Sequence, residues 1–257
     1  IAKAKQLLSV LPANNLETAG NDYYMENDAA VSADLKGIEL ISSVADKESV
    51  IELYKQFGTS AVTAIGSLNW RTAGFVATNN GAKLTADDSA KIARFVTLCD
   101  AYSIPVVTFV DSEGVEKSSA AELAGSIRDS AKLAQAYASA TTAKIAVVTG
   151  KAYGSAYVAL ASTAAGSDFT FAWEGAVIAP TTPEAAVVFL NGVSEDNAKQ
   201  AQEYADNEAD AFTAAANGYV DRVITAEDTK SALTSAIEAT SSKRVVTPAK
   251  KHVNFVY

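Results

Sequence analysis

The stretch KIAVVTGKAYGSAYVAL, residues 144–160, holds the residues best spaced to do chemistry. Its pattern predicts a strand ending near Thr149, a turn containing Gly150 and Gly154, and a helix beginning near Ser155 or Ala156. The first amides of such a helix have no intrahelical acceptor and point outward at the positive end of the helix dipole. Two donors of that kind can hold an oxyanion or enolate as it forms, at about 2.7–4 kcal/mol per donor. The small residues Gly154, Ser155, Ala156 and Ala159 let a flat ligand approach the backbone. The same composition serves close helix–sheet packing, and the residues by themselves weigh the two readings equally.

Other chemistries fail on spacing. A nucleophile elbow around Ser155 needs glycines at 153 and 157, where Tyr153 and Tyr157 stand, and the single histidine is His252, in the terminal tail. A phosphate loop needs Ser or Thr after Gly150-Lys151 and a glycine at 145; the chain has Ala152 and Ile145. Gly150 and Gly154 do not complete a dinucleotide fingerprint. No metal site is expected, because His and Cys do not cluster. Asp87 and Asp88 suit a helix start, and Asp111 a strand end.

The elements that must position this turn follow from periodicity. IAKAKQLLSVLPANN predicts an amphipathic helix on Ile1, Ala4, Leu7, Leu8 and Leu11, stopped by Pro12. Residues 14–34 are polar and acidic, a linker or an arm lying on another surface. Residues 1–34 are therefore set apart from a domain spanning 35–257. A helix and a strand come next, then two β-rich runs, SAVTAIGSLNW and RTAGFVATN, close enough for a hairpin. Beyond them a helix (about 86–102), the strand IPVVTFV, a helix (about 118–140) and the strand KIAVVT alternate, as in an α/β fold with right-handed crossovers. The strands are continuous apolar runs, the mark of a sheet covered on both faces. After FTFAW and AVIAP the remainder is expected to be mainly helical, ending in a solvated basic tail.

Composition bounds the partners. The chain has 257 residues, 49% hydrophobic and 20% charged, enough for one large domain. Its formal net charge of −9 argues against nucleic acid and against anionic membrane surfaces. No apolar run approaches bilayer length, so direct membrane insertion is not expected. Cys99, the sole cysteine, recurs with Ile92, Phe95 and Val96 at helical spacing and is read as a buried, inert thiol. No secretory signal is visible and a cytoplasmic location is the default, although the chain begins with Ile rather than Met.

RTAGFVATNN, DDSAKIARFVTLCDAYSIPVVTFVD, KLAQAYASATTAKIAVVTGKAYGSAYVAL, FAW, TPEAAV and NGYVDRVI occur in the order found in biotin-dependent acyl-CoA carboxyltransferases. The chain resembles the C-terminal half of that family, from near its first residue to its last. The resemblance implies a crotonase-like α/β domain of stacked β-β-α units trimmed by C-terminal helices. It also implies an enzyme that moves a carboxyl group between carboxybiotin and an acyl-CoA. In the family an oxyanion hole of backbone amides does this work, between subunits, with no side-chain nucleophile. By position, the amides are those of Ser155 and Ala156. Gly154, Gly114 and Tyr153 fall to the biotin side and Val158 to the acyl pocket. The implied partners are an N-terminal carboxyltransferase half, a biotin carrier protein, acyl-CoA and further copies of the chain in a homo-oligomer.

Three departures stand out. The second glycine of the family's pair is Ser155, the loop VDSEGVEKSS keeps Gly114 but lacks two prolines, and FAWEG replaces YAWP. Two rivals remain at this stage. One is a stand-alone crotonase-type acyl-CoA enzyme using Glu113 or Glu122; the other is a non-catalytic oligomerisation or carrier-docking module. TPEAAV is read structurally, with Thr182 capping a helix that starts at Pro183. Lys243, Lys250 and Lys251 are read as solvated rather than bound to CoA phosphates.

Overall fold

A computed structural model describes residues 1–15, 17, 25–78 and 81–246. Lys250, Lys251 and His252 lie outside the described residues. Helix α1 (Ala2–Val10) ends just before Pro12, and its Leu7 and Val10 pack with Leu11 against the core. Residues 25–34 run along the fold with Val31 buried in the core beside Leu40 and Ile41. There the Asn27 side-chain amide donates to the carbonyls of Ser42 and Ala45, each at 2.7 Å, at the C-terminus of α2 (Gly37–Val44).

The hairpin forms as expected from strands β2 (Ala61–Leu68) and β3 (Arg71–Thr78), with β1 (Ile51–Leu53) at the sheet edge. Its two-residue turn, Asn69-Trp70, has φ of 48° and 73°. Such primed turns match the right-handed strand twist. The Asp46 carboxylate accepts from the amides of both turn residues, at 3.1 and 3.2 Å.

From β3 onward the sheet is parallel: β4 (Val106–Ser112), β5 (Lys144–Tyr153), β6 (Phe169–Trp173) and β8 (Arg222–Ile224) pair in that order. β7 (Val177–Ala179) pairs only with the far end of β5. Two helix layers cover the faces, which is why the strands carry unbroken apolar runs. On one face α3 (Ala86–Ala101) and α5 (Ser126–Ser139) set Phe95, Cys99, Leu133 and Tyr137 on Val106 and Val148. On the other, α2 and α10 (Thr229–Ala239) set Leu40, Ile41, Leu233 and Ile237 on Phe75, Val107 and Ile145. Alternate residues of each strand thus enter opposite cores. α3 starts with a capping box between Thr85 and Asp88, the role read for Asp88. Cys99 is fully buried and burial raises its thiol pKa, so the reading of an inert thiol holds.

The structure departs from the sequence reading in four places. The helix expected over 118–140 is broken into α4 (Ser119–Leu123) and α5 at Gly125, whose φ is 91°. β8 was hidden in the tract expected to be mainly helical, because three residues give too short a run to show periodicity. Lys243 is not solvated: its ammonium sits 2.8 Å from Asp168 and 3.1 Å from the Thr142 carbonyl, holding the chain after α10 against the start of β5. The fourth concerns β5, which continues past Thr149 to Tyr153.

That extension belongs to a second, shorter ladder. Gly81 bridges Ser112, Ser112 pairs with Ala152, and Ala152 pairs with Ile178. The pairing of β4 with β5 shifts register between Val110 and Ser112, where this ladder begins, and a helix comes after each strand. The unit is strand, short strand, helix, stacked repeatedly, which is the crotonase-like architecture.

Candidate functional site

The second ladder carries the turn. Gly154 comes directly after β5 with φ 53° and ψ −121°, a conformation that side chains rarely adopt. A Cβ there would lie 2.9 Å from the Pro180 carbonyl oxygen, and the Gly154 amide donates to Ala179 at 2.9 Å. Gly154 is therefore fixed by both its backbone and its neighbour. Gly150 is not in the turn. It lies inside β5, where its own Cβ would meet Asp111 Oδ1 at 2.5 Å.

Helix α6 (Ser155–Leu160) starts immediately after Gly154. No side chain caps it, and no acceptor among the described residues meets the amides of Ser155 and Ala156. The Ser155 residue is exposed, whereas Ala156 and Ala159 are buried against the sheet. Close packing accounts for the two alanines, and it leaves the unpaired amides without a structural purpose. Val158 is 54% exposed on the outer face of α6, so it is not core.

Gly114 comes to the same corner. The chain 112–115 crosses beside β5, and a Cβ on Gly114 (φ 106°) would lie 3.5 Å from the Tyr153 carbonyl oxygen. Hydrogen bonds hold this loop in place. The Ser112 hydroxyl donates to the Ala82 carbonyl at 2.8 Å, the Leu84 amide donates to Gly114 at 2.8 Å, and the Glu116 amide donates to Leu84 at 2.9 Å. Tyr153 is buried with Ala179 and Ala209, and burial raises its phenol pKa.

Two charged pairs lie near the corner. Lys151 and Glu113 meet at 2.7 Å, and that hydrogen bond raises the lysine pKa. Glu113 is thus committed to an ion pair rather than set free as a base. Glu122 lies exposed on α4. Asp111, read from sequence as a strand end, does more. Its buried carboxylate accepts from the Lys151 amide at 2.9 Å and from the Lys36 ammonium at 3.3 Å. Lys36 is far away in sequence, and no local pattern announces this pairing. Among the described residues no group of three or more His, Cys, Asp or Glu side chains is arranged to hold a metal ion.

The structure also bears out TPEAAV: Thr182 accepts from the Ala185 amide and Pro183 opens α7 (Pro183–Asn191), which packs on α8 (Asn197–Asn207). Along the end of α7 a row of apolar side chains faces solvent, with Phe189 at 89% exposure and Val188, Leu190 and Val193 beside it. Leu123, Ile127 and Phe212 are exposed as well. No helix among the described residues is long and apolar enough to cross a membrane.

Residues 1–255 match the carboxyl transferase domain family. The chain is 35% identical over 275 residues to the methylmalonyl-CoA carboxyltransferase 12S subunit of Propionibacterium freudenreichii, covering 98% of this chain and 52% of that protein. It is 38% identical over 223 residues to the propionyl-CoA carboxylase beta chain of Cereibacter sphaeroides, covering 84% and 44% respectively. A crystal structure of a transcarboxylase 12S hexamer, with methylmalonyl-coenzyme A and methylmalonic acid bound, superposes with a TM-score of 0.90 at 35% identity. That superposition covers 99% of this chain and 53% of the other. The chain spans about half the length of these relatives.

Proposed function

The chain belongs to the carboxyl transferase domain family, and from that premise we propose that it is the biotin side of a biotin-dependent acyl-CoA carboxyltransferase. In this reading residues 1–34 form an N-terminal helix and linker, and residues 35–257 form the C-terminal carboxyltransferase domain. An N-terminal half completes the enzyme and holds most of the acyl-CoA. A biotin carrier and further copies of the chain are its other partners, and the cytoplasm is its location.

The observation that carries the proposal is the pair of unpartnered amides of Ser155 and Ala156 after a glycine that admits no side chain. This donor set fits the ureido group of biotin, whose oxygen is an acceptor. The small residues at the corner leave the backbone approachable. When bound, biotin supplies the ureido nitrogen that carries the carboxyl group. The two amides orient the ring and hold negative charge on its oxygen without reorganising, an advantage of fixed dipoles over water. Gly114 and Tyr153 shape the floor of the corner, and Val158 stands on the side where an acyl group would approach. The Ser155 side chain is exposed and narrows that approach relative to the family's glycine.

The stand-alone acyl-CoA enzyme is less well supported, since Glu113 is ion-paired and Glu122 is exposed. The test is carboxyl transfer from malonyl-CoA and methylmalonyl-CoA to free biotin, by the chain alone and with a matching N-terminal half. Activity confined to the mixture is the expected result. Turnover by the chain alone would favour the stand-alone enzyme. Inactivity in both, from folded protein, would favour the assembly module.

A further inference from the structure

Strands β4 and β5 run in register from Val106 opposite Lys144 to Val110 opposite Val148, and the next pair is Ser112 opposite Ala152. β4 thus advances two residues while β5 advances four. Such a bulge bends its strand and re-aims the residues beyond it. Here it is the corner at which β5 leaves the first ladder for the second, with Tyr153, Gly154 and the two free amides next in the chain.

Asp111 stands opposite the surplus residues. Its Oδ1 accepts from the Lys151 amide at 2.9 Å, and its Oδ2 lies 3.3 Å from Lys36 Nζ. Its own backbone is held on both sides: the Asp111 amide donates to Thr78 Oγ1 at 2.7 Å, and its carbonyl accepts from the Gly81 amide at 3.1 Å. Gly150 leaves the room that the carboxylate occupies. The buried side chain of Asp111 therefore joins β5 to Lys36 at the start of α2, while its backbone ties the same residue to Thr78 and Gly81.

We propose that Asp111, held by Lys36, is a positioning residue that sets the direction of the Ser155 and Ala156 amides through the main chain of residues 151–154. The claim that this direction matters for carboxyl transfer rests on the functional reading above; the claim about geometry does not. Asp111→Ala deletes the acceptor of the Lys151 amide. Asp111→Asn keeps an oxygen for that amide but gives up the ion pair. Lys36→Met gives up the ion pair alone.

Amide hydrogen exchange and 1H–15N spectra of the full chain test the geometry. In Asp111→Ala, exchange at residues 151–154 should rise by about tenfold or more, as expected for a lost hydrogen bond to a charged group. The Ser155 and Ala156 resonances should shift, with α3 and α10 unchanged. Asp111→Asn should restore most of the protection at Lys151. Where Asp111→Ala does not fold, Lys36→Met should raise exchange at the same residues to a smaller extent. With the N-terminal half present, kcat for transfer to biotin should fall by about a hundredfold with KM for acyl-CoA unchanged, the mark of misaligned reacting groups. Unchanged exchange at 151–154 in the folded variant, or a uniform rise across the chain, overturns the positioning role. A wild-type mixture that transfers nothing overturns the functional reading instead, and the exchange data still decide the role of Asp111.

Discussion

At the scale of single residues, the site is made of what glycine and small side chains permit. Gly154 supplies a turn no other residue fits, and Gly150 supplies the space for a carboxylate; they are two separate requirements within one short segment. Ser155 occupies the first helical position, where proline is tolerated because the amide has no helical partner. Ser155→Pro should therefore leave the fold intact and delete one donor. The expected result is a loss of about 100-fold to 1000-fold, on the scale of one oxyanion donor, in carboxyl transfer by the mixture of halves. A folded variant with undiminished transfer would remove the Ser155 amide from the mechanism.

At the scale of elements, short helices beside the corner depend on their caps. Asp210 caps α9 (Ala211–Ala216) by accepting from the amides of Phe212 and Thr213, and the preceding carbonyl, of Ala209, accepts from Ile178 in β7. Hydrogen bonding from Thr213, side chain first and then backbone, holds the Asp210 pKa below its ordinary value. A depressed carboxylate contributes stability that is fully present above the unfolded value, about 3.9, and is lost as pH falls through the lower folded value. Asp210→Ala should thus cost about 1 kcal/mol at neutral pH, a typical loss for an N-cap. The difference from wild type should shrink in acid, below pH of about 3. Urea denaturation at both pH values checks this, and an equal difference at each would show that charge plays no part.

At the scale of the molecule, Val188, Phe189, Leu190 and Val193 form a run of exposed apolar side chains of the kind that marks interaction surfaces, and the proposed assembly accounts for it. Phe189→Asp should weaken self-association or association with the N-terminal half while leaving the monomer's thermal midpoint within about 2 °C, as for a surface change. Sedimentation at several concentrations would show it. Association unaltered by this substitution would assign the row another purpose.

The sequence determined the alternation of strands and helices from β2 to β5, the hairpin, the two-sided burial of the sheet, the Asp88 and Thr182 caps, the inert Cys99 and the location of the turn at Gly154. Each of these follows from local periodicity or from the stereochemistry of a single residue. Only the tertiary structure decided that β5 runs on through Gly150 to Tyr153 instead of ending at Thr149. There the Lys151 amide donates to a carboxylate 40 positions earlier, which is paired with a lysine 75 positions before that, and separations of this kind leave no periodic trace. The structure likewise decided that Glu113 is paired, that Lys243 is anchored by Asp168, and that β8 completes the sheet. In each case the deciding partner arrives through the fold, and its energy is that of a contact rather than of a propensity.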